Sequence, residues 1–335
     1  MIWFTWRQFR TQAYLALVAV VAVGATLAVV GHQIADLYAG SGIIGCKPDE
    51  CATAVDNFLT TISNSWLDLV GNLAIAVVLL TPALIGAFWG APLISRELET
   101  GTYRLAWNQS FTRTRWLATK VIGVGLTSVA TVGLFSLALT WASSRLDQEI
   151  GQRFSGLNFG SHGIVPIGYA AFAFALGVTL GLLIRRTVPA MAATIAVYVA
   201  AVLAMSLWGR AHLMPTSVLT EPLDGSNVRG LMSSDHGQTL TVISKADAGG
   251  GWVLSSHTIT PSGQTFTGPA EPYCGEGAGK NTCFTWVDSL HLRQVVTYQP
   301  LNHYWPLQFI ETGIFLAMAL ALTGFCFWWV RRRLS

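Results

Sequence analysis

FSGLNFGSHGIVPIGYAAFAFALGVTLGLLIRRTVPAMAATIAVYVAAVLAMSLWG, residues Phe154–Gly209, is the stretch whose reading decides the fold. Its charges are the adjacent Arg185 and Arg186, which divide it into uncharged runs of 31 and 23 residues. A charge at the centre of a spanning helix costs about 2.5–3.5 kcal/mol on insertion scales, and ~20 apolar residues cross a ~30 Å hydrocarbon core. Each run is therefore long enough to span a membrane, and the arginine pair marks a turn at one of its surfaces.

Four more charge-free stretches lie outside this pair: Thr11–Ala35, Leu69–Ser95, Val121–Ser144 and Thr312–Val330. Helices are expected near 13–34, 69–92, 121–142, 166–184, 188–208 and 305–330. Arg7 and Arg10 before the first resemble a signal peptide, but its apolar run exceeds the usual h-region, so it reads as an anchor that stays. A further uncharged stretch, Ala248–Ala270, is rich in Gly, Ser and Thr and is not a span. The composition agrees, with 52% hydrophobic and only 11% charged residues in 335 and a mean hydropathy of +0.49. A soluble domain carries about 25% charge, so much of this surface faces lipid.

Six spans put both termini on one side. With the termini inside, 12 of the 20 basic residues fall in 48 inner positions, and the other 8 are spread over about three times that length. The positive-inside rule then gives a cytoplasmic N- and C-terminus. The fold class is thus an all-α polytopic membrane protein with a β-rich extracellular domain between the fifth and sixth helices. Residues 1–208 form the membrane domain, 209–304 the extracellular domain, and 305–335 the last helix and its basic tail Arg331–Arg333. Within 209–304, the runs Thr239–Ser244, Trp252–Ile259, Cys283–Val287 and Leu292–Tyr298 read as strands. Cys46 and Cys51, and Cys274 and Cys283, fall outside, where disulfides form. Cys326, alone in the last span, reads as a small apolar packing residue.

The one substantial inner segment is 93–120, opening SRELETGTYRLAW (Ser95–Trp107). It is either an interfacial turn reaching for lipid phosphates or a docking knob for a cytoplasmic partner. Glu97 and Glu99, the two acids on the inner side, favour docking, because acid gains nothing from an anionic leaflet. Gly86-x-x-x-Gly90 and Gly177-x-x-x-Gly181 allow close helix approach, either between two copies or within one bundle. Glu311 is the one charge inside an expected span; its partners are expected among helix polar groups, water or an outer-loop base such as Arg293. It is either an interfacial anchor or a polar contact on a substrate path.

Chemistry is sparse. None of the seven His opens an HExxH, and there is no GxSxG or GxGxxG. The stretch Gly275–Thr282 imitates a phosphate loop, but Cys274 replaces its first Gly and Asn281 its magnesium-binding hydroxyl. The net charge of +3 is too small for nucleic-acid binding.

Arg96–Trp107 (RELETGTYRLAW), the following TRTRW with Lys120, the outer segment Tyr298–Phe315 (YQPLNHYWPLQFIETGIF) and the Arg331–Arg333 ending together resemble the permease subunits of ABC transporters of the type-2 exporter class, in the form common in actinobacteria. The resemblance implies that Glu97, Glu99, Gly101 and Thr102 form a coupling helix seated in an ATPase, with Arg96 and Arg104 flanking. It implies a chain that binds no cofactor itself, with ATP and magnesium in two copies of a separate ABC ATPase. It also implies pairing with a second permease copy or paralogue in a bacterial plasma membrane. The expected function is outward movement of an amphipathic or lipid-like small molecule or peptide by alternating access. The 96-residue outer segment departs from relatives with short re-entrant helices there. A membrane sensor or immunity protein with an extracellular ligand-binding domain is the alternative.

Overall fold

The structure, a computed structural model, describes residues 2–46, 48–101, 112–146, 154, 156–223, 228–234, 239–244, 251–266 and 280–333. They divide into two compact units, Met1–Arg210 with Trp305–Ser335, and Ala211–Tyr304. Six helical segments among the described residues are long and apolar enough to cross a membrane: Phe9–Gly40, Trp66–Thr100, Arg113–Ala142, Val165–Ile184, Thr187–His212 and Leu301–Arg332.

In the first unit, α1 (Ile2–Gly40) runs without interruption through the first span. A short helix, α2 (Pro48–Ser63), follows. Ser65 caps α3 (Trp66–Ile85) by accepting from the Leu67 amide at 3.3 Å, and Asp68 lies in the first turn, where the helix dipole favours an acid. Pro82 removes a ladder donor inside α3, and four residues later the helix widens into a π-turn, Gly86–Gly90, before resuming as α4 (Ala91–Thr100). Thr112 caps α5 (Arg113–Ala142) through the Arg115 amide at 3.4 Å. Then come α6 (Gly156–Ser161) and α7 (Val165–Ile184), which Arg185 ends in the left-handed region at φ 57°. The fifth span is α8 (Thr187–Ala204), a second π-turn (Met205–Gly209) and α9 (Arg210–His212).

Helix α7 is the centre of this unit. Tyr169, Phe174, Val178 and Leu182 are among its many buried side chains, and it packs on α3, α4, α5 and α8. The other spans keep one apolar face open: Leu15, Val18 and Val21 on α1, Leu126 and Leu137 on α5, and Val188 on α8 are more than half exposed. Apolar surface of that extent is stable against hydrocarbon and not against water. The protein is a multi-pass membrane protein.

Both glycine pairs are spent inside the bundle. A Cβ on Gly177 would stand 2.1 Å from the Gly86 carbonyl oxygen, and one on Gly181 2.4 Å from that of Ala91. Conversely, a Cβ on Gly90 would stand 2.7 Å from the Phe174 carbonyl oxygen. The second and fourth spans thus meet backbone to backbone, and the two motifs face each other in one chain.

The second unit holds strands β1 (Ser217–Pro222), β2 (Val228–Ser234), β3 (Thr239–Ser244), β4 (Trp252–Ile259) and β5 (Arg293–Gln299) and the helix α10 (Lys280–Ser289). Strands β1, β5 and β4 form an antiparallel sheet in that order, with Leu219 opposite Val296 and Ser256 opposite Val296 on the other side. Strands β2 and β3 form a separate antiparallel hairpin. The strand expected over Cys283–Val287 is instead part of α10. Its aromatic, β-branched composition suits a strand, but Val287, near the end of the helix, is buried against Leu223 and Leu292, with Trp286 packed beside it. Tertiary burial overrides the local preference. The last helix, α11 (Tyr304–Arg332), begins one residue before its expected start.

Candidate functional site

The segment α4 ends at Gly101, whose φ of 73° is the left-handed conformation that glycine adopts without a Cβ clash. Residues 102–111 lie outside the described residues, and with them Thr102 and Arg104. Arg96 is exposed on α4. Glu97 forms an ion pair with Lys120 of α5, whose ammonium is buried and stands 5.1 Å from the Trp116 ring centre. Glu99 Oε2 accepts from the Thr187 amide at 3.1 Å and from Thr187 Oγ1 at 2.8 Å. Thr187 opens α8, so this carboxylate sits at a helix N-terminus, where the dipole favours it. Ser95 Oγ adds a contact to Thr187 Oγ1 at 3.2 Å. The two acids that looked free for a partner therefore tie α4 to the third and fifth spans.

A second cluster surrounds Glu311, which is fully buried. Arg210 Nε donates to Glu311 Oε2 at 2.9 Å and Nη2 to Oε1 at 3.1 Å, a two-pronged charge pair with both side chains at 0% exposure. Tyr169 Oη donates to Glu311 Oε1 as well. The guanidinium lies over Phe159, 4.2 Å from its ring centre. One turn earlier on α11, Gln308 Oε1 accepts from the Ile164 and Val165 amides at 3.0 and 3.1 Å, filling the open donors at the start of α7. Arg210 Nη1, Tyr198 Oη and Thr312 Oγ1 are buried without a hydrogen-bond partner among the described residues. Spans four, five and six are thus joined by a polar junction inside the apolar bundle.

Arg210 corrects the expectation about Glu311. Its partner is not the loop base Arg293 but the first charge after the fifth uncharged run, two residues beyond that span's expected end. The helix does not stop at 208; it continues through the π-turn to His212 and carries Arg210 into the bundle. The signal available in the sequence was that Arg210 is the basic residue nearest to an expected span end on the same side as Glu311.

Cys46 and Cys51 are joined in a disulfide, with Cα atoms 5.3 Å apart. Cys274 lies outside the described residues, and Cys283 falls in α10. Cys326 is a buried free thiol 3.2 Å from Thr179 Oγ1. Non-reducing peptide mapping of the membrane-expressed protein is expected to find Cys46 and Cys51 as one linked peptide and Cys326 reduced. An alkylated Cys46 without prior reduction contradicts this.

No curated protein and no solved structure matches the chain. Residues 17–210, more than half of the chain, match the family model described as ABC-2 membrane transporter related. The match takes in five spans, the segment α4 and Arg210, and stops before the second unit and the sixth span. With its six apolar helices, the chain belongs to the ABC-2 membrane-transporter-related family, a membrane transport component whose family implies an ATPase partner.

Proposed function

We propose that the chain is the permease subunit of an ATP-driven exporter that moves an amphipathic or lipid-like small molecule or peptide outward by alternating access. Two copies of a separate ABC ATPase hold ATP and magnesium, and this chain binds neither. It pairs with a second permease copy or a paralogue in a bacterial plasma membrane, with both termini cytoplasmic and residues 209–304 outside. The segment 93–120 contacts the ATPase through Arg96, Glu97, Glu99, Gly101, Thr102 and Arg104.

The observation that carries this reading is the tethering of α4. It continues the second span, binds the third through Glu97 and Lys120, and binds the fifth through Glu99 and Thr187. A displacement of α4 by a closing ATPase is therefore delivered to three spans at once, and rigid-body rocking follows.

The sequence suggests Glu97→Ala with Glu99→Ala as the test, but Glu97 is the counter-charge of the buried Lys120, and removing it alone strands that charge. Glu97→Met with Lys120→Met removes both charges together. With the ATPase co-expressed, this variant is expected to reach the membrane at normal level. Its stimulation of ATP hydrolysis is expected to fall by about fivefold or more, the scale of a site-to-site coupling of ~1 kcal/mol. Unchanged stimulation contradicts the coupling role. Co-purification with a kinase or transcription regulator in place of an ATPase supports the sensor reading.

A further inference from the structure

At the α4 end of the first unit, α1, the π-turn Gly86–Gly90, α4 and α5 line a cavity of about 490 Å³. Its lining changes character along its length. Phe9 of α1 and Phe88 and Trp89 of the π-turn form one part, with Phe9 and Trp89 edge to face at 5.2 Å between ring centres. Arg96, Glu97 and Lys120 form the other. Arg96 follows Trp89 by seven residues, which is about 10 Å along a helix. The headgroup layer on each side of a bilayer is about 5–8 Å deep, and tryptophan settles at its boundary with the hydrocarbon. The cavity therefore runs from hydrocarbon depth to headgroup depth.

Its charge balance is positive. The Lys120 ammonium is matched by Glu97, and Glu99 is turned to Thr187. Arg96 is exposed and forms no ion pair among the described residues. Residues 1–12 and 102–120 contain no acidic side chain. Those among them that lie outside the described residues include Arg104, so they add to the positive charge and cannot cancel it.

We propose that this cavity binds an anionic phospholipid from the leaflet on the α4 side, with its phosphate on Arg96 and its glycerol and upper acyl chain against Phe9, Phe88 and Trp89. Arginine's planar fork matches two phosphate oxygens, and an unbalanced cation selects an anion. A soluble anion would leave the aromatic part of the cavity unfilled, whereas a phospholipid carries charge and hydrocarbon in the order of the lining. The lipid is a bound ligand and not the cargo, so the proposal goes beyond the export reading. It ties α1 to α4, and the segment assigned to the ATPase is then also a lipid-contacting one.

The test uses the full chain without ATPase in dodecyl maltoside micelles. Dioleoyl phosphatidylglycerol or dioleoyl phosphatidylcholine is added at rising fraction, or glycerol phosphate is added in solution. Binding is read as the part of the tryptophan fluorescence change that is lost in Trp89→Phe. Phosphatidylglycerol is expected to give a saturable change and glycerol phosphate none. Phosphatidylcholine, which brings its own cation, is expected to bind about tenfold more weakly. Arg96→Gln is expected to weaken phosphatidylglycerol by about five- to tenfold, the scale of one charge-assisted contact, and Arg96→Lys by less. Its melting temperature should not change, because the side chain is exposed. Arg332→Gln removes a basic residue of α11 that does not line the cavity and is expected to leave binding as it was. Equal binding of the two lipids, saturation by glycerol phosphate, or full affinity in Arg96→Gln overturns the proposal. So does an equal loss in Arg332→Gln, which would mean attraction to a basic surface and no site. Because no ATPase is present, these outcomes leave the export reading untouched, and a failure of ATP-driven export would leave the lipid site standing.

Discussion

Arg210→Met is expected to leave little folded protein in the membrane, because it strands the Glu311 carboxylate at 0% exposure with the Tyr169 hydroxyl as its remaining donor. Removing one member of a buried ion pair costs about 3–5 kcal/mol, a large part of the stability of an ordinary domain. Glu311→Leu is expected to be about as damaging, since it leaves a buried guanidinium whose Nη1 already has no hydrogen-bond partner among the described residues. Combining Arg210→Met with Glu311→Leu replaces the pair with apolar groups of similar size, which is often neutral or stabilising. The double variant should therefore recover monodisperse protein and most of the wild-type melting temperature in detergent. The informative quantity is transport in that recovered protein. If the junction serves packing alone, export returns with stability; if it is broken and remade as spans five and six move, export stays low while stability returns. Single variants as stable as the wild type would show that the pair is not buried in the native membrane state.

The second large effect is expected at Gly177. An alanine methyl there would fall 2.1 Å from the Gly86 carbonyl oxygen and 2.9 Å from the Ala91 amide nitrogen, both backbone atoms that cannot turn aside. The fourth span must move away from the second, and because α7 is the central helix, the whole bundle must yield with it. Overpacking of this kind costs about 1–3 kcal/mol, and contact with backbone on both sides argues for the upper end. Gly24→Ala is the matched control: nothing lies within 4 Å of its Cβ position on α1. It is expected to change stability by less than about 1 kcal/mol, in the stabilising direction, because alanine is the better helix former. Thermal unfolding of both variants by fluorescence-detected size exclusion separates them. Equal behaviour would show that the second and fourth spans are not in backbone contact.

Much of the membrane architecture was legible because hydrocarbon imposes a single rule on the chain. Insertion penalises charge, so uncharged runs such as Thr187–Gly209 mark spans, and Arg185–Arg186 marks a turn, with no packing information needed. Strands β3 and β4 were legible for a similar reason: alternation over Thr239–Ser244 and Trp252–Ile259 is local. The helix over Cys283–Val287 was not, since its choice depends on burial against Leu223, far earlier in the chain. The sites were less legible than the spans. Glu97 and Glu99 stood out as inner acids, but their partners Lys120 and Thr187 belong to other helices, and no periodicity links them. Arg210 was hidden by the rule that found everything else, since a charge is taken to end a span at the interface, and this one points inward.

The π-turn at Met205–Gly209 explains how it does so, in terms of rotational phase. Successive residues of an α-helix are turned by about 100°, so Arg210, twelve positions after the buried Tyr198, would point roughly 120° away from it on an unbroken helix. A π-turn holds one residue more than the α-helical ladder needs, and the positions beyond it fall back by about one step, to within roughly 20° of the Tyr198 direction. Both side chains then face the interior. One surplus residue thus sets which way the end of the fifth span points. Without it, a helix of the same composition would send its terminal arginine toward the lipid headgroups and leave Glu311 without a counter-charge.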